Sequence, residues 1–126
     1  MATTWITVCD TCRQDDRAIP EGAPRDGAAL AELVEDAARD REGLRVRRVS
    51  CLMGCTHGCN VAVQGAGKLN YTLGRFAPEA EAARGIVDWA ALHAESPTGQ
   101  VPYRSWPPAV KGHFVTRHPP IPADEA

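Results

Sequence analysis

Two periods of apolar and polar residues run along this chain, and the change from one to the other marks its elements. The β-branched and aromatic run Thr4-Trp5-Ile6-Thr7-Val8 predicts a short strand over residues 3 to 8 that delivers Cys9 at its C-terminal end. From Cys9 to Asp26 the residues are polar and interrupted by Pro20, Gly22 and Pro24, which predicts a loop. Leu30, Leu33, Val34, Ala37 and Ala38 then recur at helical spacing, with Glu32, Glu35, Asp36 and Arg39 on the opposite side. With Asp26 as N-cap and Gly43 at the C-terminal cap, a helix is expected over residues 27 to 42. Leu44 to Val49 alternates as a strand, except that the doublet Arg47-Arg48 breaks the period and suggests a bulge at the strand end.

Past a cysteine-rich loop the period of two returns. Val61 and Val63, the turn Gly65-Ala66-Gly67-Lys68, and Leu69, Tyr71 and Leu73 predict a hairpin with one apolar face. Pro78 suits the first turn of a second helix, Glu79 and Glu81 complement its dipole, and Ala83, Ile86, Val87, Ala90 and Ala91 carry an apolar stripe to about Glu95. Seven of the ten prolines fall after residue 96, where no apolar period survives. The expected organisation is therefore a domain over residues 1–96 and a Pro-rich extended tail over 97–126, with Trp106, Phe114, Val115 and Ile121 available to pin that tail. The element order, β-α-β-β-β-α, predicts an α/β layer of four strands in a mixed sheet with two helices on one face. A β-α-β connection favours parallel neighbours, so the loops after Val8 and after Val49-Ser50 should emerge at the same sheet end.

Composition narrows the function classes. With 126 residues the chain is long enough for one core, and 44% hydrophobic with 24% charged residues is ordinary for a globular protein. A net charge of -2 argues against a strongly basic nucleic-acid binder. The N-terminus has neither a basic start nor an apolar run of signal length, and no window approaches a membrane span, so a cytoplasmic protein without a membrane partner is expected.

In that compartment five cysteines point to metal or redox chemistry rather than to structural disulfides. Cys9 and Cys12 form Cys-x-x-Cys; Cys51, Cys55 and Cys59 form Cys-x3-Cys-x3-Cys with His57 inside. Four thiolates from two loops suit a tetrahedral zinc or an iron-sulfur cluster. The three residues between Cys51 and Cys55 exceed the bite of a usual zinc knuckle, and Gly54 and Gly58 allow close backbone approach to a cofactor. Thiol chemistry without metal is the third option for Cys9-Asp10-Thr11-Cys12, but the prolines that follow oppose the helix such a motif wants.

The run Val49-Ser50-Cys51-Leu52-Met53-Gly54-Cys55 after a strand resembles the second cysteine loop of thioredoxin-like 2Fe-2S ferredoxins, and the element order over about residues 4 to 95 is similar too. The resemblance implies a thioredoxin-like fold, a 2Fe-2S cluster, one-electron transfer to a redox partner protein and, often, a homodimer. It matches Cys9 to the first-loop ligand and Cys51 and Cys55 to the second-loop pair. The interval from Cys9 to Cys12 is shorter than in that family and Cys59 has no counterpart there, which leaves the fourth ligand open between Cys12 and Cys59; Cys12 is the expected one, with Cys59 the alternate. The whole chain is also similar to an uncharacterised bacterial family of small cysteine-rich proteins described as predicted metal-binding, some associated with cobalamin biosynthesis. The expected function is iron-sulfur electron transfer. The alternative is a zinc-binding module for metal delivery or complex assembly.

The remaining candidates read more plainly. His57 is expected beside the centre rather than on it, since cysteines suffice, and His93, His113 and His118 as packing or solvated residues. Arg39, Arg41, Arg45, Arg47 and Arg48 read as a solvated face, or functionally as a surface for an acidic partner. Trp5 and Trp89 suit packing, and Trp106 either anchors the tail or meets a partner. There is no phosphate loop, paired catalytic carboxylate or nucleophile-base arrangement, so no enzyme is expected.

Overall fold

A computed structural model describes residues 3–11, 26–53 and 58–121. Five strands form one mixed sheet in the order β2-β1-β3-β4-β5, from β1 (Thr4–Cys9), β2 (Leu44–Val49), β3 (Val61–Gly65), β4 (Asn70–Leu73) and β5 (Phe114–His118). β1 and β2 are parallel, and every other neighbouring pair is antiparallel. The helices α1 (Asp26–Ala38) and α2 (Ala80–Glu95) pack on each other and both touch β1. The core lies between them and Ile6, Val8, Val61, Val63, Tyr71 and Leu73 of the three central strands.

The fifth strand corrects the expected four. Residues 114–118 have no apolar alternation, because an edge strand with an exposed face needs only backbone pairing and one anchor. The backbone pairs from Asn70↔His118 to Leu73↔Phe114, with an irregularity between Thr72 and Leu73. Phe114 supplies the anchor, stacking on Trp106 with centroids 4.3 Å apart. The segment leading there makes two 3-10 turns, Tyr103–Ser105 and Pro108–Val110, and buries Val101 and Val110. Trp106 is the tail anchor: its indole N–H donates to the Val101 carbonyl at 2.9 Å.

The expected bulge at Arg47-Arg48 is absent, since the register runs unbroken from Thr4↔Leu44 to Cys9↔Val49. Alternation continues through the doublet. Arg47 turns to the face away from the helices and bonds Thr7, whereas Arg48, on the edge strand, reaches Glu35 of α1 through two hydrogen bonds of 2.9 and 2.6 Å. The two helices start and stop within a few residues of expectation, α1 ending at Ala38 rather than at residue 42. No helix among the described residues is long and apolar enough to cross a membrane.

Candidate metal centre

The parallel register of β1 and β2 determines the sheet end at which Cys9 and Cys51 emerge. Cys9 is the last residue of β1 and lies opposite Val49, the last of β2, so Cys51 follows two residues beyond the same sheet end. Backbone bonds hold the chain there on both sides, from the Asp10 N–H to the Val49 carbonyl and from the Cys9 N–H to the Asn60 carbonyl, each 3.0 Å. Since β3 begins at Val61, Cys59 arrives at this end too, beside β1 on the side opposite Cys51. Neighbouring strands run about 4.8 Å apart, so three loop segments crowd around the tip of β1.

The three thiols have different surroundings. Cys9 is 1% exposed; its Sγ stands 3.9 Å from the Ser50 carbonyl oxygen and 3.7 Å from the Thr11 hydroxyl. The Thr11 hydroxyl donates to that same carbonyl. With the Thr11 hydrogen given to Ser50, a protonated Cys9 has acceptors in the Ser50 carbonyl and the Thr11 hydroxyl oxygen. Cys51 is exposed and its Sγ accepts the Met53 N–H at 3.3 Å. Cys59 is fully buried within the hydrophobic core. Both Met53 and Cys59 take left-handed backbone angles, φ 60° and 63°. That conformation costs a non-glycine residue roughly 1–2 kcal/mol. Across the loop base, the Arg75 N–H donates to the Gly58 carbonyl at 2.8 Å.

Of the expected ligands, Cys9 and Cys51 are brought to one end of the sheet, while Cys12 and Cys55 lie outside the described residues, as do His57 and Gly54. Among the described residues no group of three or more histidine, cysteine, aspartate or glutamate side chains is gathered closely enough to hold an ion. Sequence reasoning missed Thr11 and Ser50. Their only signal was position, one inside the Cys-x-x-Cys and the other immediately before Cys51.

The charges near this end are tied to the helix. Hydrogen bonding to Arg48 holds the Glu35 carboxyl below its usual range, against the opposing effect of partial burial, and the Arg48 charge adds to the lowering. The other histidines stay apart: His113 donates to the Gly74 carbonyl at 2.9 Å and stacks on Phe76, and His118 pairs with Thr116.

Comparison with known proteins gave no match among curated proteins and none among solved structures. One family model matches, described as protein of unknown function (DUF1636), over residues 6–120. That range takes in both cysteine groups, both helices and β5. The chain belongs to the DUF1636 family.

Proposed function

We propose that this protein is a one-electron carrier of thioredoxin-like fold that holds a 2Fe-2S cluster on Cys9, Cys12, Cys51 and Cys55. The observation that carries the reading is the parallel pairing of β1 with β2, which ends both strands at one edge with a cysteine loop after each. The sheet supports the thioredoxin-like assignment, because the parallel pair adjoins the β3-β4 hairpin and both helices touch β1. The donor set fits such a group: thiolates are the ligands a 2Fe-2S cluster requires, and the Met53 N–H already points at the Cys51 sulfur.

When bound, the cluster supplies a reversible one-electron couple. The chain's own part is to bury the Cys9 side, leave the Cys51 side open to a partner and tune the potential through hydrogen bonds to sulfur. Cys59, enclosed in the core beside Val61, stands next to the ligand set as a packing residue.

The visible spectrum of anaerobically purified protein and its serine variants tests this. Charge-transfer bands are expected in the parent, lost in Cys12→Ser and kept in Cys59→Ser. A colourless parent refutes the cluster, and the reverse pattern in the variants moves the fourth ligand to Cys59.

A further inference from the structure

The sheet has two faces, and only one is covered by α1 and α2. On the other, Trp5 lies half-buried beneath two arginines, with the Arg45 and Arg47 guanidinium carbons 5.8 and 5.6 Å from its ring centroid. Both are exposed. The other three members of the arginine run are neutralised, Arg39 by Asp36, Arg41 by Asp88 and Arg48 by Glu35. Arg45 and Arg47 meet no carboxylate among the described residues. Arg47 instead bonds the neutral oxygens of Thr7, at 2.7 Å, and Gln64, at 3.2 Å, which fixes its position without a countercharge among the described residues.

The wider charge pattern points the same way. The chain carries 16 acidic residues and a net charge of -2, yet none of the five strands contains an aspartate or glutamate. Among the described residues acid lies in helices, turns and loops, and the open face carries Arg45, Arg47 and, at its far side, His118. Natural sheet faces exposed to water usually mix both signs. A pair of restrained guanidiniums over an aromatic ring is suited to carboxylates, which arginine grips two bonds at a time.

We infer that this open face, centred on Trp5, Arg45 and Arg47, is a docking surface for an acidic protein. Its position gives the contact a purpose that rests on the electron-carrier reading. Trp5, Thr7 and Cys9 alternate along one strand, so a partner seated over Trp5 lies about 13 Å along the sheet from the cysteine loops. Nucleic acid fits the face less well. Phosphate binding relies on several cations, and single strands need a series of aromatic platforms, whereas this face has two arginines and one tryptophan.

The test uses the full chain and a deca-glutamate peptide as probe, read by the indole N–H resonance of Trp5 in nuclear magnetic resonance spectra and assigned with Trp5→Phe. A shift at Trp5 that added salt suppresses is expected, with the Trp89 signal still. Arg45→Gln with Arg47→Gln should weaken binding about tenfold, while Arg45→Lys with Arg47→Lys should retain most of it. A silent Trp5, binding unaffected by the glutamine pair, or tighter binding of a single-stranded oligouridylate of the same charge would each overturn the proposal. The visible bands of the same samples report the metal centre separately. A colourless protein that still binds at Trp5 supports the docking face and removes the electron carrier; a coloured protein with a silent Trp5 overturns the docking face alone.

Discussion

The His93 imidazole is completely buried, and its partners fix its protonation. The Leu69 carbonyl, 2.7 Å from Nε2, can only accept, so Nε2 carries the hydrogen and Nδ1 accepts the Thr4 hydroxyl at 2.9 Å. Beside it the buried Lys68 ammonium donates to the carbonyls of His93 and Ala94, at 3.0 and 2.7 Å, and so caps α2 at its negative end. Burial pushes the His93 pKa below the ordinary histidine value; the Leu69 bond works against this and the Lys68 charge adds to it. Because the unfolded chain then binds the extra proton first, stability is full above the ordinary value of about 6.5 and is lost as the pH falls below it. Glu35 acts in a separate window, its contribution persisting down to the ordinary carboxylate range and fading only in stronger acid. Urea unfolding should therefore show a lower midpoint at pH 5.5 than at pH 7.5 in the parent. His93→Gln should cost about 1–3 kcal/mol at neutral pH and flatten that difference; an unchanged pH slope in the variant would refute the assignment. Sequence alone suggested only that His93 packs or is solvated, because Thr4 and Leu69 stand 89 and 24 residues away in the chain.

Among the elements, α2 carries more buried surface than one stripe. Of its expected apolar row, Ala83, Ile86, Val87 and Ala90 are buried and Ala91 is partly so, but Gly85, Trp89 and His93 are buried as well. They form a second face, covered by the C-terminal segment: Trp89 meets Trp106 and Phe114 edge-on, with centroids 6.2 and 5.0 Å apart. Period counting finds one stripe and misses the other, because glycine and histidine do not register as apolar. Gly85 marks the closest approach, since a β-carbon there would sit 2.7 Å from the Ala109 Cβ. Alanine normally stabilises a helix interior by up to about 1 kcal/mol over glycine. Here overpacking, about 1–3 kcal/mol, should win. Gly85→Ala is expected to lower the thermal midpoint, and adding Ala109→Gly should restore it; a raised midpoint in the single variant would show that the segment does not press on the helix. The bounds of β2, Leu44 to Val49, were legible because Leu44 and Val46 alternate with arginines, but its unbroken register was not, because the Arg47-Arg48 doublet imitates a bulge. β5 was not, because backbone pairing with β4 leaves no mark on side-chain order.

At the scale of the molecule, the arrangement follows from β1 at the sheet's interior. With α1 linking it to a parallel β2 and the hairpin antiparallel on its other side, every segment carrying a described cysteine comes to one end. The emergence of Cys9 and Cys51 at one end of the sheet could be read from the β-α-β rule, since parallel neighbours end together. The approach of Cys59 could not, because it depends on how far β3 runs before pairing with β1, which spacing does not encode. The same sheet separates the chain's chemistry, with the core and helices on one face, Arg45 and Arg47, which meet no carboxylate among the described residues, on the other, and the described thiols at one end. The most direct test is to quantify iron, acid-labile sulfide and zinc in anaerobically purified, iron-replete protein. About two irons and two sulfides per chain are expected from four thiolate ligands on a single 2Fe-2S centre. One redox-silent zinc per chain, or no metal at all, would contradict it.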